Sequence, residues 1–346
     1  MATPATAAAL HPGAKFFNLA KKGIDMKPSL RIFVLASALL FWCVEGYAQT
    51  YPNRPIRVII PYAPAGGADI IGRLVLDQVS KDTGYNFIVE NRVGAGGNIA
   101  FSAIAAGQPD GYTLVIATPG LATNPTLYSK LSFSPADFTA ITVIGESPLV
   151  FMVNPAMPVP SIAEFIAFAR KSAQPLRFGS AGNGTSSHLA GEVFKAMAGI
   201  ELQHIPYRGG VAAITDVVGG RIEMTTQPVA ESMPFITDSR VRTLGQTGLT
   251  RSKLVANVPT IDEAGVKGYS VSTWYILAGP PGMPREIVDT LYRAFDKSLS
   301  SPVFKASLED RGFVVINSDP GTSRKFLDSE YSRWKKIIED AGIHLD

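Results

Sequence analysis

Residues 56–71 read Ile56-Arg57-Val58-Ile59-Ile60-Pro61-Tyr62-Ala63-Pro64-Ala65-Gly66-Gly67-Ala68-Asp69-Ile70-Ile71. Ile56 to Ile60 is a short apolar strand. Ile70, Ile71, Leu74, Val75 and Val79 recur at the three- and four-residue spacing of one helical face. Between them a glycine-bearing turn delivers the chain into a helix start. The first N–H groups of a helix have no acceptor within it and carry the positive end of its dipole. Residues 61–69 are therefore a candidate anion site.

Outward from this unit, strand and helix alternate. A strand is expected at Asn86–Glu90, a helix from Gly94-Ala95-Gly96-Gly97-Asn98 to about Ala106, and a strand at Thr113–Ala117. Connections of this length imply parallel βαβ units. A further strand is expected at Ala140–Ile144, with Leu149–Val153 running on from it. Pro155, Pro158 and Pro160 then punctuate the chain, and Ser161 with Glu164 has the spacing of a capping box. This marks entry to a second lobe. It holds strands at Arg177–Ser180 and Leu202–Pro206, a helix from about Ser187 to Ala198, and a helix over Ala212–Val218. The chain returns at Ser270–Leu277. Pro284 starts a helix to about Leu299, Phe313–Ile316 is a short strand, and a last helix covers about Gly321–Ala341. The expected fold is α/β with two lobes, residues 49–150 plus 275–346 and residues 151–274. A single large sheet is the alternative.

The N-terminus reads as an address. Lys27 and Arg31 precede an apolar run from Ile32 to Val44, and Gly46-Tyr47-Ala48 offers small residues at a cleavage point. This is the pattern of a secretory signal peptide within residues 1–48, with Met26 as a possible true start. The run is short for a membrane span. Residues 1–48 hold five bases (Lys15, Lys21, Lys22, Lys27, Arg31) and two acids (Asp25, Glu45), so totals of 32 and 29 fall to 27 of each. The basic excess belongs to the presequence and says nothing of nucleic acid. The one cysteine, Cys43, leaves with it, so the remaining chain has no disulfide and no thiolate metal site.

Three polar, glycine-rich turns stand between a strand and a helix start: Tyr62–Asp69, Gly179–His188 and Tyr207–Gly210. The second contains Ser180, Ala181, Gly182, Asn183, Gly184, Thr185, Ser186 and Ser187, with Thr185 or Ser186 able to cap. Helix starts facing each other across a cleft would grip a carboxylate. The plainer reading is that short βα loops are commonly glycine-rich. Asp69 either complements the dipole of its own helix or meets an amine or hydroxyl of a ligand. Arg208 is the best cationic contact for a ligand, unless it is a solvated surface residue.

Other chemistries find little support. Gly94-Ala95-Gly96-Gly97 lacks the third glycine of a dinucleotide fingerprint, and no cofactor is expected. His188, His204 and His344 form no metal-ligand pair. Ser187, His204 and Asp216 can be drawn as a triad, but no nucleophile-elbow motif supports it. A secreted α/β hydrolase is thus the less favoured class against a binding protein.

At this point the chain resembles a known family. Tyr51-Pro52-Asn53-Arg54-Pro55-Ile56, then Pro61-Tyr62-Ala63-Pro64 with Gly66-Gly67 and Asp69, is similar to the start of the Bug family, the periplasmic receptors of tripartite tricarboxylate transporters. Matches continue at Glu90-Asn91-Arg92, Gly94-Ala95-Gly96-Gly97, Pro109-Asp110-Gly111-Tyr112 and His188-Leu189-Ala190-Gly191-Glu192. They run on through His204-Ile205-Pro206-Tyr207-Arg208-Gly209-Gly210, Pro259-Thr260 and Pro280-Pro281-Gly282-Met283-Pro284. The resemblance spans nearly all of the chain beyond the presequence.

It implies a two-lobed, Venus-flytrap solute receptor of the periplasm, without enzymatic activity, acting as a monomer. Its ligand would be a small carboxylate: a dicarboxylate, tricarboxylate, aromatic acid or amino acid. Its partners would be membrane permease subunits or a sensor kinase. Carried over by position, the ligand meets Tyr62, Ala63, Pro64, Ala65, Gly66, Gly67 and Asp69 on one side. On the other it meets Ser180, Ala181, Gly182, Asn183, Thr185, Ser186 and His188, with Thr118, Asn124, Tyr207 and Arg208 as neighbours. Ala65 departs from the family pattern, because many members run directly from proline or alanine into the glycines.

Overall fold

β1 (Ile56–Ile60) leads through the turn just quoted into α1 (Gly67–Thr83), and the step repeats. β2 (Phe87–Asn91) leads to α2 (Asn98–Ala105), and β3 (Thr113–Ala117) to α3 (Gly120–Leu127). β4 (Thr139–Val153) and α4 (Ile162–Lys171) open a second series. There β5 (Leu176–Ser180) precedes α5 (Ser186–Ala198), β6 (Leu202–Pro206) precedes α6 (Gly210–Val218), and β7 (Met224–Pro228) precedes α7 (Val229–Thr237). β8 (Arg242–Gln246) and β9 (Ser272–Gly279) bring the chain back. α8 (Arg285–Leu299), α9 (Pro302–Glu309), β10 (Val314–Val315) and α10 (Pro320–Asp340) follow. The computed structural model describes residues 51–340, 342 and 343. The signal-peptide reading of residues 1–48, Met26, Cys43 and His344 lie outside these.

The strand order is β2-β1-β3-β9-β4-β7-β5-β6, with β8 and β10 also paired to β4. β1 runs parallel to β2 and β3, and β5 runs parallel to β6 and β7, as the βαβ spacing predicts. β4 joins the two halves. From Thr139 to Pro148 it pairs antiparallel with β9, and from Leu149 to Val153 with β7 and β8. Proline lacks an N–H to donate, so Pro148 is a natural place for one ladder to end and another to begin. The fold is thus α/β and two-lobed, with one long strand shared between the lobes.

The expected runs Ala140–Ile144 and Leu149–Val153 are two parts of that one strand. The strand expected over Phe313–Ile316 shortens to Val314–Val315. α3, β7, β8, α7 and α9 were not anticipated. Met224-Thr225-Thr226-Gln227 carries little apolar signal, although its residues are buried.

Helices cover both halves. Ile71, Val75, Leu76 and Val79 of α1 bury one face against Ile56, Val58 and Ile60. α10 reaches both cores: Leu327 packs beside Ala117 and Trp274, while Trp334 and Ile338 pack with Phe151, Phe165 and Phe194. Burying Ile338 alone contributes about 1.5–3 kcal/mol. Between them Glu330 accepts from Trp274 Nε1 at 2.7 Å and Trp334 Nε1 at 3.0 Å. Among the described residues no helix is long and apolar enough to cross a membrane.

Candidate functional site

The three glycine-rich turns meet at one cavity of about 360 Å³. Its walls include Tyr62, Ala63, Pro64, Gly66, Gly67 and Thr118 from one side, and Ala181, Thr185, Ser186 and Arg208 from the other. The remaining candidate residues do not line this cavity, and several of them hold the loops in place.

In the first turn Ala65 adopts φ 63°, the left-handed region that a residue with a Cβ avoids. Asp69 holds it there. One carboxylate oxygen accepts the Ala65 N–H at 3.0 Å, and the other accepts from Arg73 Nε at 2.8 Å and Asn91 Nδ2 at 2.9 Å. Burial opposes ionisation of Asp69, but these bonds outweigh it and hold its carboxyl below the ordinary aspartate range. Asp69 therefore closes the turn around Ala65, and α1 begins at Gly67. Tyr62 points inward, where its hydroxyl accepts from Thr118 Oγ1 at 2.8 Å. Burial pushes its pKa up to about 12, so it stays a neutral phenol.

In the second turn Thr185 caps α5 by accepting the His188 N–H at 3.4 Å, and Ser187 Oγ accepts the Ala181 N–H at 2.8 Å. The N–H groups of Ser186 and Ser187 have no acceptor in the helix, and both residues line the cavity. Asn124, buried, donates to Gly96 O at 3.1 Å and Asn98 Oδ1 at 2.6 Å. It packs against Gly184, where a Cβ would lie 2.1 Å from Asn124 Oδ1. Asn124 thus holds two loops together and does not line the cavity.

His188 and His204 stack with ring centroids 4.1 Å apart. Burial pushes them down to about 3 and about 4, the charge of His204 adding to the effect on His188. Both are neutral imidazoles at pH 7. Ser180 Oγ lies 2.6 Å from His204 Nε2, and Asp216 accepts from the Tyr207 hydroxyl at 2.8 Å. Ser187, His204 and Asp216 therefore have different partners, and the triad drawn from the sequence is not assembled. Ser180, Gly182, Asn183, His188 and Tyr207 stand outside the cavity wall.

Sequence reading missed part of the site. Gln227, Pro228 and Glu231 enter from the β7–α7 connection, and Thr273 and Tyr275 from β9. Glu231 is only 6% exposed, and its Oε2 accepts the Gly67 N–H at 3.1 Å. Burial pushes its carboxyl up to about 7, while the N–H groups of Gly67 and Val211 favour the charged form. Pro228 followed by an acid in the first turn of a helix was the available signal, but no glycine pair drew attention to it. The starts of α1 and α6 are thus already faced by a carboxylate. Among the described residues no side-chain carboxylate bonds to the start of α5, and Arg208, exposed on the same cavity, makes no ion pair.

The sequence profile of the tripartite tricarboxylate transporter family receptor matches residues 71–343. The chain is 34% identical over 300 residues to the UPF0065 protein in the tcbD-tcbE intergenic region of Pseudomonas sp. strain P51, which covers 86% of this chain and 89% of that protein. Among solved structures it is similar to R. palustris Rpa4515 with adipate, at a TM-score of 0.82 and 34% identity over 85% of this chain and 100% of that one. It is also similar to the periplasmic binding protein BugD, at a TM-score of 0.80 and 28% identity over 85% of this chain and 100% of that one.

Proposed function

The chain belongs to the tripartite tricarboxylate transporter receptor family, and from that premise we propose that it captures a small carboxylate in the periplasm and presents it to membrane permease subunits. One observation carries this reading. The start of α5, with Thr185, Ser186 and Ser187, and Arg208, which has no ion pair among the described residues, border the same cavity of about 360 Å³. Fixed N–H donors at a helix start and a guanidinium suit an anion whose water is stripped away as two lobes close. The adipate bound by R. palustris Rpa4515 supports a ligand of this chemistry.

The reading includes no chemical step. A hydrolase needs a nucleophile and a base that face the substrate. The pair within reach, Ser180 and His204, is turned into the packing around Phe178, with the Phe178 and His204 ring centroids 4.8 Å apart.

Thermal unfolding of the purified protein against mono-, di- and tricarboxylates, aromatic acids and amino acids tests the proposal. A ligand that binds only the folded state must raise its midpoint. A dose-dependent rise with one class supports a carboxylate receptor, and no rise with any class removes the carboxylate from the reading.

A further inference from the structure

Among the described residues two buried oxygens beside the cavity make no hydrogen bond, although the Val211 N–H faces the Glu231 carboxylate. Gln227 Oε1 and Glu231 Oε1 are both without a hydrogen-bond partner among the described residues. Gln227 is fully buried and Glu231 nearly so, and both residues line the cavity. Their orientation is set from behind. Gln227 Nε2 donates to Thr225 Oγ1 at 2.8 Å, which leaves its oxygen turned the other way, and Glu231 Oε2 is taken by Gly67.

The two free oxygens converge. A Cβ on Gly210 would lie 2.3 Å from Glu231 Oε1 and 2.4 Å from Gln227 Oε1, so those distances together bound their separation at about 4.7 Å. One small donor group reaches both. A carboxylate placed there would meet a like charge, whereas an ammonium would supply charge-assisted hydrogen bonds to each. The opposite electrostatics hold near α5 and Arg208. The cavity is dipolar.

We propose that the ligand is an ammonium-bearing carboxylic acid, its ammonium seated between Glu231 Oε1 and Gln227 Oε1 and its carboxylate at the start of α5 near Arg208. This rests on the reading of the cavity as a carboxylate site, and it adds the second recognition element. It makes Glu231 and Gln227 specificity-determining residues.

The groups facing Glu231 bear on how this site responds to pH. Tyr275 on β9 is a neutral phenol, its pKa raised by burial and then by the Glu231 charge. Arg208 borders the same cavity from the β6–α6 turn. Asp69 on α1 is paired with Arg73 at 2.8 Å. Glu231 is thus the group whose charge changes near neutrality.

Calorimetric titration of the purified protein with matched ligands decides the matter: adipate against 6-aminohexanoate, and glutarate against glutamate. In at least one pair the amine-bearing member should bind about tenfold tighter near pH 8, and Glu231→Gln should cut that advantage to about twofold or less. For the unaltered protein its affinity should rise between about pH 6 and pH 8 as Glu231 ionises, while that of the dicarboxylate falls. The pH series decides the question even if the variant does not fold. Equal or tighter binding of the amine-free members overturns the proposal and leaves the carboxylate reading standing. An amine advantage that survives Glu231→Gln, or that does not change with pH, also overturns it. Absence of binding by all four ligands overturns the carboxylate reading itself, and this inference with it.

Discussion

The backbone N–H of Gly67, at the head of α1, donates to Glu231 Oε2 at 3.1 Å across 164 residues of chain. The group that this glycine-rich turn offers to an anion is therefore already engaged by the protein's own carboxylate. That carboxylate is buried and near the midpoint of its titration at neutral pH. Several properties of the protein can be traced to this one contact.

Glu231 should make stability depend on pH. Its carboxyl titrates near 4.5 in the unfolded chain and near 7 in the folded one, so the folded state holds the extra proton between these values. The contribution is fully present below the lower value and is lost as pH rises through the upper one. Relative to Glu231→Gln, the unaltered protein should lose about 3 kcal/mol between the two limits. Urea unfolding of both proteins at a series of pH values measures this, and parallel curves would refute it.

The histidine stack should act with the opposite sign. His188 and His204 titrate at about 3 and about 4 when folded, against 6.5 when unfolded. The stability they contribute is present above 6.5 and is lost as pH falls toward the folded values. His188→Gln should therefore show a shallower acid loss than the unaltered protein, by on the order of 2 kcal/mol near pH 4.5. An unchanged acid limb would mean that these rings are already charged in the folded state.

Asp69 and Ala65 should be energetically coupled. Asp69→Ala removes the acceptor for Ala65, Arg73 and Asn91, and should cost about 2–3 kcal/mol. Ala65→Gly relieves the left-handed strain and should stabilise by about 0.5–1 kcal/mol. In the double variant the glycine should recover more than it contributes alone, because the turn no longer needs to be held. Strict additivity in a double-mutant cycle would show that Asp69 does not hold Ala65.

Gly67 has no space for a side chain. A Cβ there would lie 3.0 Å from the Tyr275 hydroxyl and 3.1 Å from Pro228 Cγ. Gly67→Val should push apart the walls of the cavity and weaken ligand binding by about tenfold or more, with the far-ultraviolet circular dichroism retained. Full affinity in the variant would place the ligand elsewhere.

Arg208 should discriminate by ligand charge. It is exposed, lines the cavity and has no acidic partner among the described residues. Arg208→Ala should weaken a dianion more than a monoanion, by about 1 kcal/mol in the difference, because each added negative charge loses its share of the guanidinium field. Equal losses would assign the side chain to shaping the wall.

Much was legible in the sequence because local physics dictated it. Ile56–Ile60 followed by Gly66-Gly67 and the spaced Ile71, Val75 and Val79 specifies strand, turn and helix within one short window, and the same pattern recurs at residues 176–198 and 202–218. These windows already contain Tyr62, Gly66, Gly67, Ala181, Thr185, Ser186 and Arg208, which border one cavity. The β7–α7 unit was illegible for a physical reason. Thr225, Thr226 and Gln227 are buried by their strand neighbours, with Thr225 Oγ1 donating to Gly179 O at 2.8 Å and Thr226 Oγ1 to Ser187 O at 3.1 Å. Such bonds let polar residues occupy a core strand that hydrophobic periodicity cannot flag.

By itself the sequence determined the α/β class, the turn-to-helix units and the family, since each rests on residues close together in the chain. Only the tertiary structure decided which side chains share the cavity. It turned Asp69, Asn124 and His188 into supports for the loops, and it brought Glu231 onto Gly67 from another element. The cause is range: hydrogen-bonding propensity and periodicity act over a few residues, whereas burial, which moves Glu231 toward neutrality and leaves Gln227 Oε1 without a donor, exists only once distant elements have packed.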